Sequence, residues 1–322
     1  MADNNENKVL NVPHLRFPEF SGEWETKSIN DLADVIGGGT PDTTVKSYWD
    51  GGIQWFTPSE IGKNKFVDAS LRTITEDGLN NSSAKLLPPN TILLSSRATI
   101  GECSLSLREC ATNQGFQCLV SKKCNVDFLY YLIQTKKKDL IRKSCGSTFL
   151  EISANEVRKI QVSVPSDVEQ QKIAGLLSLI DKRIATQNKI IEKLQSLIKG
   201  IAQHCIKEST SGNTYVKLGD ICQITTGKLD ANAQVDNGIY PFFTCAEQPF
   251  KIDSFAFDTE ALLISGNGAN LGYINYYKGK FNAYQRTYVL DLFSENIQYI
   301  KWALKVLLPK RIAIEKSSSN TP

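Results

Sequence analysis

IAGLLSLIDKRIATQNKIIEKLQSLIKGIAQHC, residues 173–205, has the residue pattern from which we infer the architecture. Its apolar residues recur at alternating steps of four and three, and the series is interrupted only by Gln187. This alternation places one narrow apolar stripe along a helix, as in the seam of a coiled coil. We therefore predict one long helix that pairs with another helix. The candidate subunit-interface residues in this seam are Ile173, Leu177, Ile180, Ile184, Ile191, Leu194, Ile198 and Ile201.

The sequence around the seam predicts where this helix begins and ends. Pro165 ends a strand-like run, and Ser166-Asp-Val-Glu169 has the pattern of a capping box, so the helix should begin at Asp167. It should end near Lys207, before the flexible stretch ESTSGNT. At a rise of roughly 1.5 Å per residue such a helix is about 60 Å long. A stiff helix of this length suits a protein that holds two surfaces apart on a long, repetitive partner.

Two stretches of similar sequence flank the helix, the first from Trp24 and the second from Tyr215. Five pairs of motifs occur in the same order in both stretches, which indicates two copies of one domain. The pairs are 24–33 with 215–222, 36–41 with 224–228, 91–101 with 261–272, 111–120 with 282–290, and 128–148 with 299–321. In the second pair Ile36 is matched with Ile224, and in the last pair Lys143 is matched with Lys316.

The residue pattern within each copy predicts an α+β fold. Short strand-like runs at 92–94, 118–120, 262–264 and 288–292 alternate with Gly, Pro, Asn and Asp, and a helical stretch follows near the end of each copy. The predicted architecture is two similar, mixed, strand-rich domains linked by a long coiled-coil helix. The predicted boundaries are a first domain with an N-terminal arm at 1–165, the helix at 166–207, a linker at 208–214 and a second domain at 215–322.

The second copy contains no counterpart of residues 150–207, and we therefore expect it to be incomplete at its C-terminus. The seam is then expected to have no partner helix within the chain. Because a lone helix with an apolar stripe is only marginally stable in water, we predict self-association or pairing with a helix of another polypeptide.

Composition places the chain among soluble globular proteins, with 322 residues of which 41% are apolar and 22% charged. No run approaches the roughly 20 apolar residues of a membrane helix, and the polar start MADNNENKVLN does not resemble a signal peptide. A cytoplasmic location without a membrane partner is therefore expected. The eight cysteines form no C-x-x-C pair, which favours reduced, mostly buried thiols and no metal site.

Several classes of enzyme are disfavoured by missing motifs. The sequence has no G-x-x-x-x-G-K-[ST] phosphate loop, and the glycines of 266–272 have the wrong spacing for a dinucleotide-binding turn. No Asn-Pro-Pro-aromatic motif of an amino-methyltransferase occurs. His14 lies in the N-terminal arm and His204 at the edge of the seam, so neither is a good candidate for a general base. We predict no catalytic residue in this chain.

Polar loops in both copies contain the residue types that read DNA bases. Arg can bind the guanine edge through two hydrogen bonds, and Asn or Gln can bind adenine in the same way. For each single residue the alternative is a turn in which the side chain satisfies its own backbone. The candidates in loops are Gly39, Thr40, Ser96, Arg97, Thr99, Asn113, Gln114, Ser147, Thr148, Asn267, Gln285 and Arg286. The glycines of 37–39 can let the backbone approach a phosphate, although a glycine-rich hairpin is the favoured interpretation.

Two basic clusters, at 136–143 and 301–316, lie at matching places in the copies and include the candidates Lys143 and Lys316. Each cluster can contact a phosphate backbone, and a solvated helix face is an equally favoured interpretation. The net charge of +3 is too small to distinguish the two. The four tryptophans at 24, 49, 55 and 302 are expected in the core rather than as platforms for stacked bases.

Seven phrases of the first copy, taken together, closely resemble the specificity subunit of type I DNA restriction–modification enzymes. They run in order from the N-terminal arm into the long helix, and the second copy matches more weakly. The phrases are HLRFPEF from His14, GGTPD from Gly38, IQWFTPSEI from Ile53, SRATIG from Ser96, TNQGF from Thr112, CGSTFLEIS from Cys145, and VP at 164–165 followed by EQQKIA from Glu169.

The resemblance implies two target-recognition domains held apart on antiparallel helices, each of which reads one half of a split site in double-stranded DNA. It also implies that the chain is not itself an enzyme and binds no cofactor. Partner modification subunits would bind S-adenosylmethionine and methylate adenine, and a restriction subunit would use ATP and Mg²⁺ for translocation and cleavage. The alternatives that remain are a coiled-coil assembly protein whose domains bind protein or carbohydrate, and an inactive truncated or rearranged specificity cassette.

Overall fold

The structure is a computed structural model that describes residues 11–146, 150–212 and 215–318. The candidates Ser147 and Thr148 lie outside the described residues. The chain divides into two compact units, Met1–Thr186 and Gln187–Pro322, and the boundary falls within one long helix. We describe each unit by itself.

The first unit is built around a mixed five-stranded sheet in the order β2-β9-β6-β7-β4. A second sheet has the order β5-β3-β8, and β1 pairs with β10 in antiparallel register. Its strands are β1 (Glu25–Ser28), β2 (Ala33–Gly37), β3 (Trp49–Phe56), β4 (Phe66–Val67), β5 (Arg72–Ile74), β6 (Ile92–Leu94), β7 (Cys103–Ser106), β8 (Cys110–Thr112), β9 (Gln117–Ser121) and β10 (Gln161–Val164). Its helices are α1 (Ile29–Leu32), α2 (Glu76–Asn80), α3 (Val126–Thr135), α4 (Lys137–Arg142), α5 (Ala154–Arg158) and the start of α6 (Asp167–Thr210).

Strand β6 lies at the centre of the first unit because all three of its side chains are apolar. Successive side chains of a strand point to opposite faces. Leu93 therefore packs with Phe56 and Phe116 on one face, whereas Ile92 and Leu94 pack on the other face with residues of α3, α5 and β10. A strand buried on both faces explains why the run Ile-Leu-Leu shows no polar alternation.

The second unit contains one six-stranded sheet in the order β11-β16-β14-β15-β12-β13, covered by helix α7. Leu262 and Ile264 of its central strand face α7, and Leu263 packs on the opposite face with Phe243 and Phe281. The elements are β11 (Gln223–Thr226), β12 (Tyr240–Phe243), β13 (Phe250–Ile252), β14 (Phe257–Ser265), β15 (Ile274–Ala283), β16 (Thr287–Asp291) and α7 (Ile297–Ser318).

The two units repeat the same strand arrangement, which confirms the predicted α+β fold of two similar domains and a long helix. The order β2-β9-β6-β7 in one sheet corresponds to β11-β16-β14-β15 in the other. Each unit also contains an equivalent pair of parallel strands, β3 with β8 in the first unit and β12 with β15 in the second. Equivalent backbone bonds also recur, since Ser96 N–H donates to Gly115 O and Gly266 N–H donates to Arg286 O, both at 2.8 Å.

The glycines after β2 were expected to form a hairpin, and this prediction is wrong. Strand β2 pairs with β9, while the next strand, β3, belongs to the other sheet. At Gly38 a Cβ atom would lie 2.0 Å from the carbonyl oxygen of Asn113, and at Gly227 it would lie 1.9 Å from that of Ala283. The chain therefore needs glycine at both places because two backbones cross there. Gly38 corresponds to Gly227, so the match of Ile36 with Ile224 is wrong by one residue.

Helix α6 begins at Asp167 as predicted, but the Glu169 carboxylate bonds to partners other than those of the expected capping box. The two carboxylate oxygens of Glu169 instead accept hydrogen bonds from Arg16, at 2.8 and 2.7 Å, and one of them also accepts from the Trp24 indole. The Glu169 side chain is only 1% exposed, so a buried carboxylate of this kind needs the paired guanidinium. The HLRFPEF segment therefore binds the start of the helix through Arg16. The Trp24 side chain is half-buried beside it.

Helix α6 continues to Thr210 and takes in three residues that the sequence pattern places in the linker. Ile206 is buried, and the hydroxyls of Ser209 and Thr210 donate to its carbonyl oxygen at 3.1 and 2.7 Å. The 44 residues of α6 correspond to ~66 Å at roughly 1.5 Å per residue.

The expected equivalence of Lys143 and Lys316 is also wrong. In the first unit the helical stretch breaks at Lys136, which allows Leu140 to pack into the core, and Lys143 follows the end of α4. In the second unit Leu304 and Leu308 already lie one turn apart against the core, so α7 continues as a single helix to Ser318. Lys316 therefore lies within a helix.

The seam of α6 has three different environments. Ile173 and Leu177 are partly buried, and Ile173 packs on the core of the first unit, whereas Ile184 and Ile191 are 54% and 51% exposed. Further exposed leucines and isoleucines at 176, 179, 190 and 197 lie beside the seam and make the apolar face wider than the narrow stripe expected. At its end Ile198, Ile201 and Cys205 face α7, so this part of the seam does border a helix of the same chain.

Candidate nucleic-acid interface

The first candidate residues lie in a tight turn between β6 and β7. Ser95 Oγ donates to the Arg97 carbonyl oxygen at 2.8 Å, and Thr99 Oγ1 donates to Ser95 Oγ at 3.1 Å. Ala98, at the tip, has a φ of 56°, which costs free energy for a residue other than glycine. The turn therefore holds Arg97 and Thr99 in fixed backbone positions.

A second candidate loop, before β9, lies directly beside this turn. Thr40 Oγ1 donates to Gln114 Oε1 at 2.5 Å, and Asn113 Oδ1 accepts from the Gly115 N–H at 2.9 Å. The Ser96 N–H donates to the Gly115 carbonyl oxygen, which joins the two loops. The structure thus brings together candidates from three separate stretches of sequence, and Gln114 is exposed.

Two of the candidates are buried rather than presented at the surface. The Gly39 N–H donates to Thr112 O at 2.8 Å, and the Gly39 carbonyl oxygen accepts from the Trp55 indole at 2.9 Å. Ser96 is fully buried, and its hydroxyl has no hydrogen-bond partner among the described residues. Both residues position the loops, whereas Thr40, Arg97, Thr99 and Gln114 are accessible.

Arg97 forms an ion pair with Glu151, with 2.9 Å between Nη2 and Oε1. The backbone fixes Glu151, since its N–H and C=O bond with Cys145 at 3.0 and 2.9 Å. The following Ile152 N–H donates to Ser96 O at 3.1 Å. The segment around Glu151 therefore runs alongside the Arg97 turn.

The first basic cluster is largely neutralised by carboxylates. The ion pairs are Lys136 and Arg142 with Asp139, Lys137 with Glu102, and Lys143 with Glu156. A hydrogen bond from Lys159, with a smaller contribution from Lys143, lowers the pKa of Glu156 below its ordinary value. Lys138 is exposed and has no ion pair among the described residues. Two of the neutralising carboxylates, Glu102 and Glu156, come from other parts of the fold.

The second unit places its candidates at the equivalent positions. Asn267, which occupies the place of Arg97, accepts a hydrogen bond from the Cys245 thiol at 2.9 Å. Gln285 corresponds to Gln114 and donates to Asp230 at 3.2 Å. Arg286 is exposed, and within the described part of the chain no residue forms an ion pair with it.

The second basic cluster lies along α7. Lys301 lies 5.1 Å from the centroid of the Tyr276 ring, and Lys305 lies 5.1 Å from that of Trp302. Burial and the neighbouring charge of Lys301 lower the pKa of Lys305. The side chain of Lys316 lies outside the described part of the structure. Trp302 was expected in the core and is instead 39% exposed, unlike the buried Trp49 and Trp55.

Trp302 also forms one wall of an apolar groove within the second unit. The groove has a volume of about 570 Å³ and lies between the end of α6 and the start of α7. Seam residues Ile198 and Ile201 form the other wall, and Ser209 and Tyr299 bridge the helices through their hydroxyls at 3.0 Å. The candidate interface residues at this end of α6 are thus accessible apolar side chains.

Sequence reasoning missed two residues that hold the candidate side chains, Glu151 and Cys245. Glu151 stands within the quoted phrase CGSTFLEIS, and its acidic charge beside a basic cluster was the available signal. No pattern pointed to Cys245, because its place is set by the parallel pairing of β12 with β15.

All eight cysteines are unpaired, and four of them, at 103, 110, 118 and 222, are buried. Burial raises the pKa of the Cys118 thiol to about 12, so that thiol is unreactive at neutral pH. Within the described residues, no group of three or more His, Cys, Asp or Glu side chains is arranged to hold a metal ion. None of the helices in that part of the chain combines the length and apolar character needed to cross a membrane.

Both copies of the domain match the model of a known protein family. A model of the type I restriction modification DNA specificity domain matches residues 21–196 and again 210–322. The chain belongs to this family. The resemblance recognised from the sequence phrases is therefore confirmed, and the two matches correspond to the two copies.

Named relatives agree with this assignment. The MjaIX specificity subunit of Methanocaldococcus jannaschii is 30% identical over 342 aligned residues, which cover 92% of this chain and 79% of that protein. The EcoDI specificity subunit of Escherichia coli is 51% identical over 90 residues, which cover 28% of this chain and 20% of the relative.

Solved structures agree with the fold. The type I restriction–modification S subunit from M. genitalium superposes with a TM-score of 0.60 at 19% identity, over 97% of this chain and 83% of that one. A chain from a structure of complex assembly and conformational transition in the type I R-M system gives a TM-score of 0.57 at 16% identity, over 92% and 82%.

Proposed function

We propose that this chain is the DNA-reading subunit of a type I restriction–modification complex. Each unit would read one half of a split site in double-stranded DNA. The observation that carries this proposal is the equivalence of the two polar surfaces, with Arg97 and Gln114 in one unit and Asn267 and Gln285 in the other. Gln114 and Gln285 are the same residue type, whereas Arg97 and Asn267 differ. A different side chain at an equivalent position is what two readers of different half-sites require, since base identity is read by side-chain chemistry.

Affinity would come from phosphate contacts around each reading surface. Lys138 and Arg286 are candidates for these contacts, because both are exposed and neither has an ion pair among the described residues. The paired cations of the first cluster would have to exchange their carboxylate partners for phosphates, so each would contribute less to DNA affinity than an unpaired cation. A steep loss of affinity with added salt is expected.

Catalysis would reside in partner subunits. A modification subunit with S-adenosylmethionine would methylate adenine, and a restriction subunit with ATP and Mg²⁺ would translocate and cleave the DNA. The exposed seam of α6 would bind the modification subunit or a second copy of the chain. This division of labour agrees with the family to which the chain belongs.

The experiment that tests the proposal is coexpression with the modification subunit in a host without adenine methylation, followed by mapping of methylated adenines. We expect one bipartite motif. Arg97→Ala should relax the base preference in one half of the motif, whereas Arg286→Ala, which removes a phosphate contact, should weaken binding without changing the motif.

Arg108→Ala is the matched control, because Arg108 is exposed and pairs with Asp68 away from both reading loops. An absence of any bipartite motif, or a chain that methylates or cuts DNA without partner subunits, would contradict the proposal. Binding that is insensitive to salt would instead favour a coiled-coil assembly protein.

A further inference from the structure

The side chain of Arg97 is constrained by an ion pair and by partial burial, although part of it is exposed. Its Nη2 lies 2.9 Å from Glu151 Oε1, and its Nε–H is buried without a partner among the described residues. A buried N–H without a partner costs free energy, so this conformation persists only because neighbouring contacts enforce it. The enforcing contacts are the turn bonds from Ser95 and Thr99 and the backbone pairing of Arg97 with Glu151.

The guanidinium of Arg97 keeps donors that can reach a DNA base. Of its five N–H groups, the one on Nε is buried, and Nη2 lies within ion-pair distance of the carboxylate. The side chain is 42% exposed. The N–H groups on Nη1 and Nη2 form one of the edges of a guanidinium that can bind two acceptors of a base at once.

The second unit holds the equivalent side chain with different chemistry. Asn267 occupies the place of Arg97, and its Oδ1 accepts from the Cys245 thiol at 2.9 Å, so the amide NH₂ takes no part in this bond. The amide of Asn270 donates to the Cys245 carbonyl oxygen at 3.0 Å and so fixes that partner too. The side chains at this position differ between the two units, but in each unit one neighbouring residue holds the side chain in place.

We propose that Glu151 is a positioning residue for base recognition, which acts by fixing the orientation of Arg97. This inference rests on the proposed function. The carboxylate orients the guanidinium before DNA binds, so less conformational entropy is lost on contact with the correct base. It also repels phosphate oxygens, which discourages Arg97 from serving as a general phosphate contact. Glu151 thereby makes Arg97 selective for a base rather than for a phosphate.

The test compares Glu151→Gln with Asp68→Asn in the full chain, copurified with its modification subunits. Both substitutions remove one negative charge from an arginine–carboxylate pair, but Asp68 pairs with Arg108. A library of duplexes with randomised positions is bound, and the bound DNA is sequenced. We expect Glu151→Gln to reduce the preference at one base pair of one half-site by about tenfold and to strengthen binding to random duplex. Asp68→Asn should leave the selected motif unchanged.

A double-mutant cycle separates positioning from a merely structural role. In the Arg97→Ala background, Glu151→Gln should cause no further loss of preference, because the side chain through which it acts is gone. Glu151→Asp keeps the charge on a shorter stem and should retain part of the preference, which covers the case in which Glu151→Gln does not fold. Equal effects of Glu151→Gln and Asp68→Asn, or a loss that persists without Arg97, would overturn the inference. Selection of no motif by the unmodified chain would overturn the proposed function itself.

Discussion

The double substitution Ile184→Asp with Ile191→Asp tests whether the exposed seam of α6 is an interface. Six seam residues, at 180, 184, 191, 194, 198 and 201, are 45–54% exposed. Full burial of an Ile or Leu side chain contributes roughly 1.5–3 kcal/mol, so about half of this, ~1 kcal/mol per residue, is still available when a partner helix covers the seam. Two substitutions then remove ~2 kcal/mol per chain.

The carboxylates add a second penalty of at least the same size. A charge placed in a desolvated seam without a partner is costly, and even ~2 kcal/mol for the pair brings the total to ~4 kcal/mol. Because roughly 1.4 kcal/mol corresponds to a factor of ten, association should weaken by several hundred-fold or more. Helix formation itself should change little, since both positions are exposed.

The measurements are sedimentation velocity of the chain alone at micromolar concentration and copurification with the modification subunit. The control is Ala185→Asp with Ser196→Asp, which places the same charges on exposed positions of α6 away from the seam. We expect the control to assemble normally and the seam variant to remain dissociated. Unchanged assembly of the seam variant in both measurements would show that the seam is not an interface.

Three further predictions concern packing and accessibility. Gly38→Ala should lower the free energy of unfolding by about 1–3 kcal/mol, because the added Cβ would lie 2.0 Å from Asn113 O. Gly52→Ala, where nothing lies within 4 Å of the added Cβ, should leave the free energy of unfolding unchanged, and chemical denaturation measures both. Lys65→Met should speed hydrogen exchange in α6 around Ser178, because the ammonium of Lys65 donates to Ser178 Oγ at 2.9 Å, and unchanged exchange would refute this role. Maleimide should label the exposed Cys205 and spare Cys118, and assembly through the seam should protect Cys205, as followed by mass spectrometry.

The elements that the sequence predicted well depend on short-range patterns. The alternating step of four and three specifies α6, because side chains three and four residues apart share one face of a helix whatever surrounds it. The apolar run of β6 specifies a strand buried on both faces for a similar reason. The order of repeated motifs was also readable, because two copies of one fold require the same residues at the same bends.

Tertiary structure decided the partners of the polar side chains. The residues around Glu169 predicted that it caps the helix, but its carboxylate accepts a hydrogen bond from Arg16, which is 153 residues away in the chain. In the sequence the cations of 136–143 form a positive cluster, but in the folded chain Glu102 and Glu156 form ion pairs with two of them. Charge counts along the chain ignore such pairs, because the separation of two charges in space is set by which strands and helices become neighbours.

Residue patterns thus predicted a helical spacer, two copies of one domain and the family to which they belong. Only the folded chain shows which candidate residues face solvent, with Gly39 and Ser96 buried and Gln114 and Arg286 exposed. It alone also placed Glu151 against Arg97. The physical reason is the range of the interactions, since periodicity and turn preference act over a few residues, whereas burial and ion pairing depend on contacts between distant segments.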